Sequence, residues 1–206
     1  MSNDWLSFLK FMTITTEQIK QLRDQTGISV MQCKKALEEA EGDMEKAVVI
    51  LQKQSKATAL KKGDRSLGSG VVVSYIHGAG SVGAMVELSC ETDFVSRNEE
   101  FKKLAYDLAM QVAASNPEFI KREDVTEADK QKAKEVFTAE AAEKPAEMRA
   151  KIIEGKLDAF FDEKVFLEQN YIKDPSKKVK DLLTEAVQKF GEKTEVTRFA
   201  RFAVGG

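Results

Sequence analysis

Val82-Gly83-Ala84-Met85-Val86-Glu87-Leu88-Ser89-Cys90-Glu91-Thr92-Asp93-Phe94-Val95-Ser96-Arg97-Asn98-Glu99 is the stretch whose reading decides the fold. Its first half is apolar at every second position, at Val82, Ala84, Val86, Leu88 and Cys90, the period of a half-buried β-strand. Its end opens a helix. Ser96-Arg97-Asn98-Glu99 has capping-box spacing, and Phe101, Leu104, Ala105, Leu108 and Val112 follow at helical intervals. Between strand and helix lies Glu91-Thr92-Asp93-Phe94-Val95, an acid and a large aromatic where neither belongs to the strand pattern or the helix stripe. With Ser96 as N-cap, a hydrophobic staple would join Val95 to residue 100, which is Glu100. That staple is therefore absent. Phe94 either folds back on the sheet or projects as a probe into a partner's pocket, and spacing leaves both open.

Working outward, Val71 to His77 is a second β-rich run, and Gly78-Ala79-Gly80-Ser81 joins it to the first as a hairpin. Gly78 to Gly83 also fits the letters G-x-G-x-x-G. A dinucleotide site needs those glycines between a strand and a helix whose N-terminus holds the pyrophosphate. Here a strand follows, so that reading is rejected. Glu195 to Val204 reads as a last strand that pairs with the hairpin. Arg198 and Arg201 fall on its opposite faces, as at an edge or interface. Strands grouped apart from helices imply an α+β class with a small antiparallel sheet.

Residues 13–62 read as a separate three-helix module. Thr15 and Gln18 box the first helix, which stops at Gly27. Ser29 and Gln32 open the second, with Ile28 placed to staple onto Cys33 and a stripe of Cys33, Ala36, Leu37 and Ala40. Asp43 caps the third, with Met44, Ala47, Val48 and Leu51 inward. At 100° per residue Met31 points almost opposite this stripe and Val30 lies near its edge. Met is a surface accident or an adaptable contact. Further on, Thr126 and Asp129 open one helix through Val136 and Phe137, Pro145 suits the first turn of the next, and Asp174 with Pro175 reads as N-cap and N1 of a last helix ending at Gly191. Ala139 to Lys144 reads as the tip of an exposed helical hairpin.

Composition narrows the function. The chain has 206 residues, 42% hydrophobic and 32% charged, so it can bury a core. A net charge of −2 lacks the electrostatic footprint of a nucleic-acid binder. The basic cluster Lys53, Lys56, Lys61, Lys62 and Arg65 reads as a solvated face. No run suits a membrane crossing. Trp5 to Phe11 is apolar but lacks a positive lead and a cleavage site. Cys33 and Cys90 are far apart, which fits a reduced cytoplasmic protein. His77, the sole histidine, has no ligand or nucleophile partner near it in sequence. There is no phosphate-binding G-x-x-x-x-G-K-[ST] motif. The reading is of a protein that is not an enzyme, with no cofactor and no metal.

Three stretches together carry a resemblance. They are Cys90-Glu91-Thr92-Asp93-Phe94-Val95; Leu22-Arg23-Asp24-Gln25-Thr26-Gly27 running on through Met31–Leu37 to Gly42-Asp43; and Gln169-Asn170-Tyr171-Ile172-Lys173-Asp174-Pro175-Ser176-Lys177-Lys178-Val179. In this order they resemble the bacterial elongation factor Ts family, the guanine-nucleotide exchange factors of elongation factor Tu. The likeness runs from about Ile14 to the C-terminus. It implies a ubiquitin-associated-like domain over 13–62 with a helical linker. It also implies an α+β dimerisation and exchange core over 63–206, with 1–12 an extension of unknown role. The core signature occurs once, as in the family's short form, which works as a homodimer. The resemblance implies that Thr92, Asp93, Phe94 and Val95 enter beside the Mg²⁺ and phosphate site of elongation factor Tu, in its GDP-bound and nucleotide-free states. It assigns Arg23, Val30 and Met31, with Lys34 beside them, to the partner's nucleotide-binding domain, and makes His77 a further contact. The alternative is a small adaptor that binds another protein or ribosome-associated RNA through residues 13–62.

Overall fold

The computed structural model describes residues 14–142 and 145–205. The expected extension over 1–12, and the part of the expected hairpin tip at 143–144, lie outside the described residues. The chain forms two compact units. One holds the residues up to Asp64 with Thr184–Gly191, and the other holds Arg65–Leu183 with Glu192–Gly206.

The first unit contains α1 (Thr16–Thr26), α2 (Val30–Glu39) and α3 (Met44–Lys62). The local signals explain each end. Thr15 and Gln18 form a reciprocal capping box, and Gly27 terminates α1 with a positive φ of 69°. This is a left-handed cap that glycine adopts without steric cost. Ser29 caps α2 and Asp43 caps α3. Leu22, Ile28, Cys33, Ala36, Leu37, Ala40, Ala47 and Leu51 form one buried cluster. The expected stripes are therefore the core, and Ile28 meets Cys33 within it.

The second unit is built on a three-stranded antiparallel sheet in the order β1-β2-β5, with β1 at Ser69–His77, β2 at Val82–Cys90 and β5 at Thr194–Ala203. Pairing runs from Ser69↔Cys90 to His77↔Val82, and from Val82↔Ala203 to Cys90↔Thr194. The alternation of β2 does what its period demands. Ala84, Val86, Leu88 and Cys90 are buried. Against β1 and β2 lies α5 (Glu99–Ser115), whose buried residues include Phe101, Ala105, Leu108 and Val112. A bulge between Glu87 and Leu88 sets Thr197 out of register. Arg201 faces the helix side, where its Nε donates to the Ala113 carbonyl at 3.0 Å. Arg198 pairs with Glu87 on the other side. The two arginines are thus on opposite faces of an edge strand. That outer face carries Val72, Ile76, Met85 and Phe202, all exposed.

The helices α6 (Glu127–Glu140) and α7 (Ala146–Lys164) pack on each other, and Ala133 and Phe161 share a buried cluster with the flanking Val125 and Val165. Thr126 and Asp129 open α6 as expected, and do so with a reciprocal capping box. Two expectations fail. The helix after β2 is not opened by Ser96. A single turn, α4 (Asp93–Ser96), comes first, and Asn98 caps α5, its side chain accepting from the Glu100 amide at 2.8 Å. The last helix is not opened by Asp174 and Pro175. Residues Asp174–Lys178 form β4, paired with β3 (Asn170–Tyr171), and α8 runs over Val179–Phe190. The Asp174 carboxylate accepts from both the Ser176 amide, at 3.2 Å, and its hydroxyl, at 2.6 Å. This local turn competes with helix initiation.

Candidate functional site

At the end of β2 the ladder stops at Cys90↔Thr194. The next amides, of Glu91 and Thr92, would be orphan donors there, and buried or half-buried backbone groups demand partners. A carboxylate about a hundred residues away in sequence supplies them. Glu192 Oε2 accepts from the Glu91 amide at 3.1 Å and from the Thr92 amide at 3.0 Å, while its Oε1 accepts from the Thr92 hydroxyl at 2.5 Å. The bond is reciprocated. Glu91 Oε1 accepts from the Lys193 amide at 2.6 Å, and its Oε2 accepts from Arg65 Nη1 at 2.9 Å. Carboxylate–amide bonds of this kind are about twice as strong as neutral ones.

The rest of the corner is tied from below. The Cys90 thiol donates to the Thr92 carbonyl at 3.2 Å. Burial, and after it the Glu192 charge, push that thiol up from its ordinary pKa, which keeps it protonated as a donor. Ser69 donates to the Ser96 hydroxyl at 3.0 Å, and Ser96 in turn donates to the Asp93 carbonyl at 3.1 Å. Ser96 is buried and committed to these bonds, which is why it does not cap α5.

On this frame the four signature residues divide. Thr92 is the held residue. Asp93 points to solvent and pairs with Arg97 at 2.9 Å, one turn on. Phe94 is 83% exposed. It does not fold back on the sheet. Val95 is buried in the free chain. Its side chain anchors the turn in the core while Phe94 is turned outward.

The expected residues of the first unit lie on either side of the α1–α2 corner. Arg23 is exposed in the last turn of α1. Val30 and Met31, 48% and 65% exposed, form the first turn of α2. Lys34 is one turn further along, exposed and paired with Glu38 at 3.8 Å. His77 stands apart from Phe94. It lies at the far end of β1 from the Ser69↔Cys90 pair that adjoins the turn, the whole length of the strand away. It is not a free turn residue, for Tyr75 Oη and His77 Nδ1 are 2.9 Å apart. Sequence reasoning missed Glu192 and the carboxylate of Glu91. Both matter only through partners far along the chain, and no local spacing marks them.

The chain is an α+β protein with a large aromatic exposed at a strand–helix corner. Comparison with known sequences makes this specific. The family model described as Elongation factor TS matches residues 7–206. The curated protein "Elongation factor Ts" of Thermotoga neapolitana is 51% identical over 194 residues, covering 94% of this chain and 98% of the relative. That of Thermodesulfovibrio yellowstonii is 51% identical over 195 residues with the same coverages, and that of Carboxydothermus hydrogenoformans is 50% identical over 194 residues, covering 93% and 89%. The chain belongs to the elongation factor Ts family, and is a translation elongation factor of protein biosynthesis. Among the described residues, no helix is long and apolar enough to cross a membrane.

Proposed function

We propose that the chain carries out its family's general activity, nucleotide exchange for elongation factor Tu, by inserting Asp93 and Phe94 beside the partner's Mg²⁺ and phosphate site. The observation that carries this reading is the exposure of Phe94 on a turn whose backbone is bound on both sides. An aromatic anchor held in its binding geometry loses little further entropy on docking. The Asp93 carboxylate beside it can draw on or repel groups around a bound cation, and the Arg97 partner it would leave is a surface pair of small worth. An exchange factor need not touch the nucleotide. It must bind the nucleotide-free partner more tightly than the loaded one, and by linkage nucleotide then weakens the factor's binding by the same factor. Loss of Mg²⁺ contacts removes the largest positive charge holding the diphosphate.

The three-helix unit, read as ubiquitin-associated-like over residues 13–62, would hold the partner's nucleotide-binding domain through Arg23, Val30, Met31 and Lys34. Residues 63–206 would be the exchange core, with His77 as a separate contact. A homodimer is supported by the outer sheet face, where Val72, Ile76, Met85 and Phe202 are exposed and form an apolar surface of the kind that marks interfaces. The setting is the cytoplasm, with no nucleic acid and no cofactor required. The test is stopped-flow release of a fluorescent GDP from elongation factor Tu, with excess GDP as chase. Acceleration by this protein, and competition between GDP and the protein for the partner, are the expected results. Binding to another protein through residues 13–62 with no sensitivity to GDP would replace this reading with the adaptor.

A further inference from the structure

We propose that Glu192 is the positioning residue of the Thr92–Phe94 turn, and that its carboxylate sets how efficiently Phe94 acts. The proposal rests on the exchange reading above, and nothing in the family's signature motif points to it. Three donors converge on this one side chain: the amides of Glu91 and Thr92 and the Thr92 hydroxyl. They occupy both oxygens. The clamp sits at the point where β2 and β5 part, so it continues the ladder for two residues after backbone pairing has ended. Thr92 is fixed there in extended backbone, the residue from which the single turn α4 starts. A helix of four residues has almost no cooperative stability of its own. Its orientation is therefore set by the contacts that hold its cap and its buried residues. Val95 anchors one side of the turn in the core and Glu192 anchors the other, leaving Phe94 between them with its backbone constrained and its ring in solvent. Catalytic and binding groups depend on such supporting contacts, because a slack of about 1 Å forfeits much of the effect.

A carboxylate is required, as distinct from an amide. Glutamine at this position would offer one acceptor oxygen, whereas three donors need two. Glu91 provides an internal contrast. Its carboxylate binds the Lys193 amide and Arg65, and so ties the opposite strand.

The experiment uses the full chain in four forms: the native sequence, Glu192→Gln, Phe94→Ala and the double variant. Two readouts are taken. Amide hydrogen exchange at Glu91 and Thr92 reports the clamp without any partner. Stopped-flow GDP release from elongation factor Tu reports its consequence. We expect Glu192→Gln to lose protection at Thr92 while β2 amides stay protected, and to slow catalysed release about tenfold, the equivalent of ~1.4 kcal/mol. In the double variant, the Glu192→Gln change should add almost nothing to Phe94→Ala, because it acts through Phe94. A general loss of stability would not show that coupling. Glu192→Asp, shorter but still a carboxylate, should recover part of the rate. Unchanged protection at Thr92, or lost protection with full activity while Phe94→Ala is slow, overturns the positioning role alone. Independent, additive effects overturn it as well. Full activity of Phe94→Ala is a different failure: it overturns the exchange reading of the turn, and the functional role of the clamp with it.

Discussion

Truncating Phe94 to alanine tests the assigned mechanism most directly, and the structure fixes the size of the effect. Complete burial of a phenylalanine side chain contributes ~1.5–3 kcal/mol. Phe94 is 83% exposed in the free protein. Nearly all of that stabilisation therefore remains to be gained on docking, about 1.2–2.5 kcal/mol. At ~1.4 kcal/mol per decade this corresponds to roughly 8- to 60-fold slower catalysed GDP release. The same exposure sets the control. A side chain that contributes little to the free fold should change stability within about ±0.5 kcal/mol when truncated. Far-UV circular dichroism and the urea midpoint should therefore match those of the native chain, while fluorescent GDP release from elongation factor Tu slows. Two results would refute the reasoning. Unchanged release with an intact fold removes Phe94 from the mechanism. A loss of roughly 3–5 kcal/mol of stability, the cost of truncating a core aromatic, means that the ring packs inside in solution.

Met31→Ala should weaken binding of elongation factor Tu in a titration and leave stability within about ±0.5 kcal/mol, whereas a core-like loss of roughly 2–5 kcal/mol would remove the α1–α2 corner from the interface. Deleting residues 195–206 strips β2 of a neighbour and removes the buried Val196 and the outer-face Phe202. Analytical ultracentrifugation should find a monomeric core, or the protein should be insoluble, and a dimeric, active truncation would contradict this. A pH-dependent outcome follows from Tyr171, whose buried phenol donates to Asp107 at 3.2 Å. Burial first, and the Asp107 charge second, raise its pKa above the ordinary value. The folded state then keeps a proton that the unfolded chain releases above pH ~10, so this contribution is complete below pH ~10 and is lost as pH rises beyond it. Tyr171→Phe should lower neutral-pH stability by about 1 kcal/mol yet flatten the alkaline fall, as read from urea midpoints between about pH 8 and 11. Parallel alkaline slopes in the two proteins would rule it out.

The chain's periodicities were enough to place most of its elements. The period-two pattern of Val82 to Cys90 became β2 with its apolar residues inward, and the stripe of Cys33, Ala36 and Leu37 became the core of the first unit. Capping at Thr15, Ser29, Asp43 and Thr126 was local chemistry, complete within a single helical turn, and folded as read. What failed was also local, but undecided locally. Ser96 and Asn98 can each cap the same helix at similar energy, and the choice fell to Asn98 because Ser69, 27 residues away, engages the Ser96 hydroxyl. Asp174 can cap a helix or close a turn, and pairing of β4 with β3 goes with the turn. The direction of Phe94 was of the same kind, since no spacing says whether an aromatic on a corner turns in or out. Sequence by itself determined which segments are strands and helices, because those patterns reflect burial repeated along one element. Only tertiary structure decided which side of the corner Phe94 faces and what holds it there. The groups that fix it, Glu192, Glu91 and Ser69, meet solely because β1 and β5 flank β2 in one sheet.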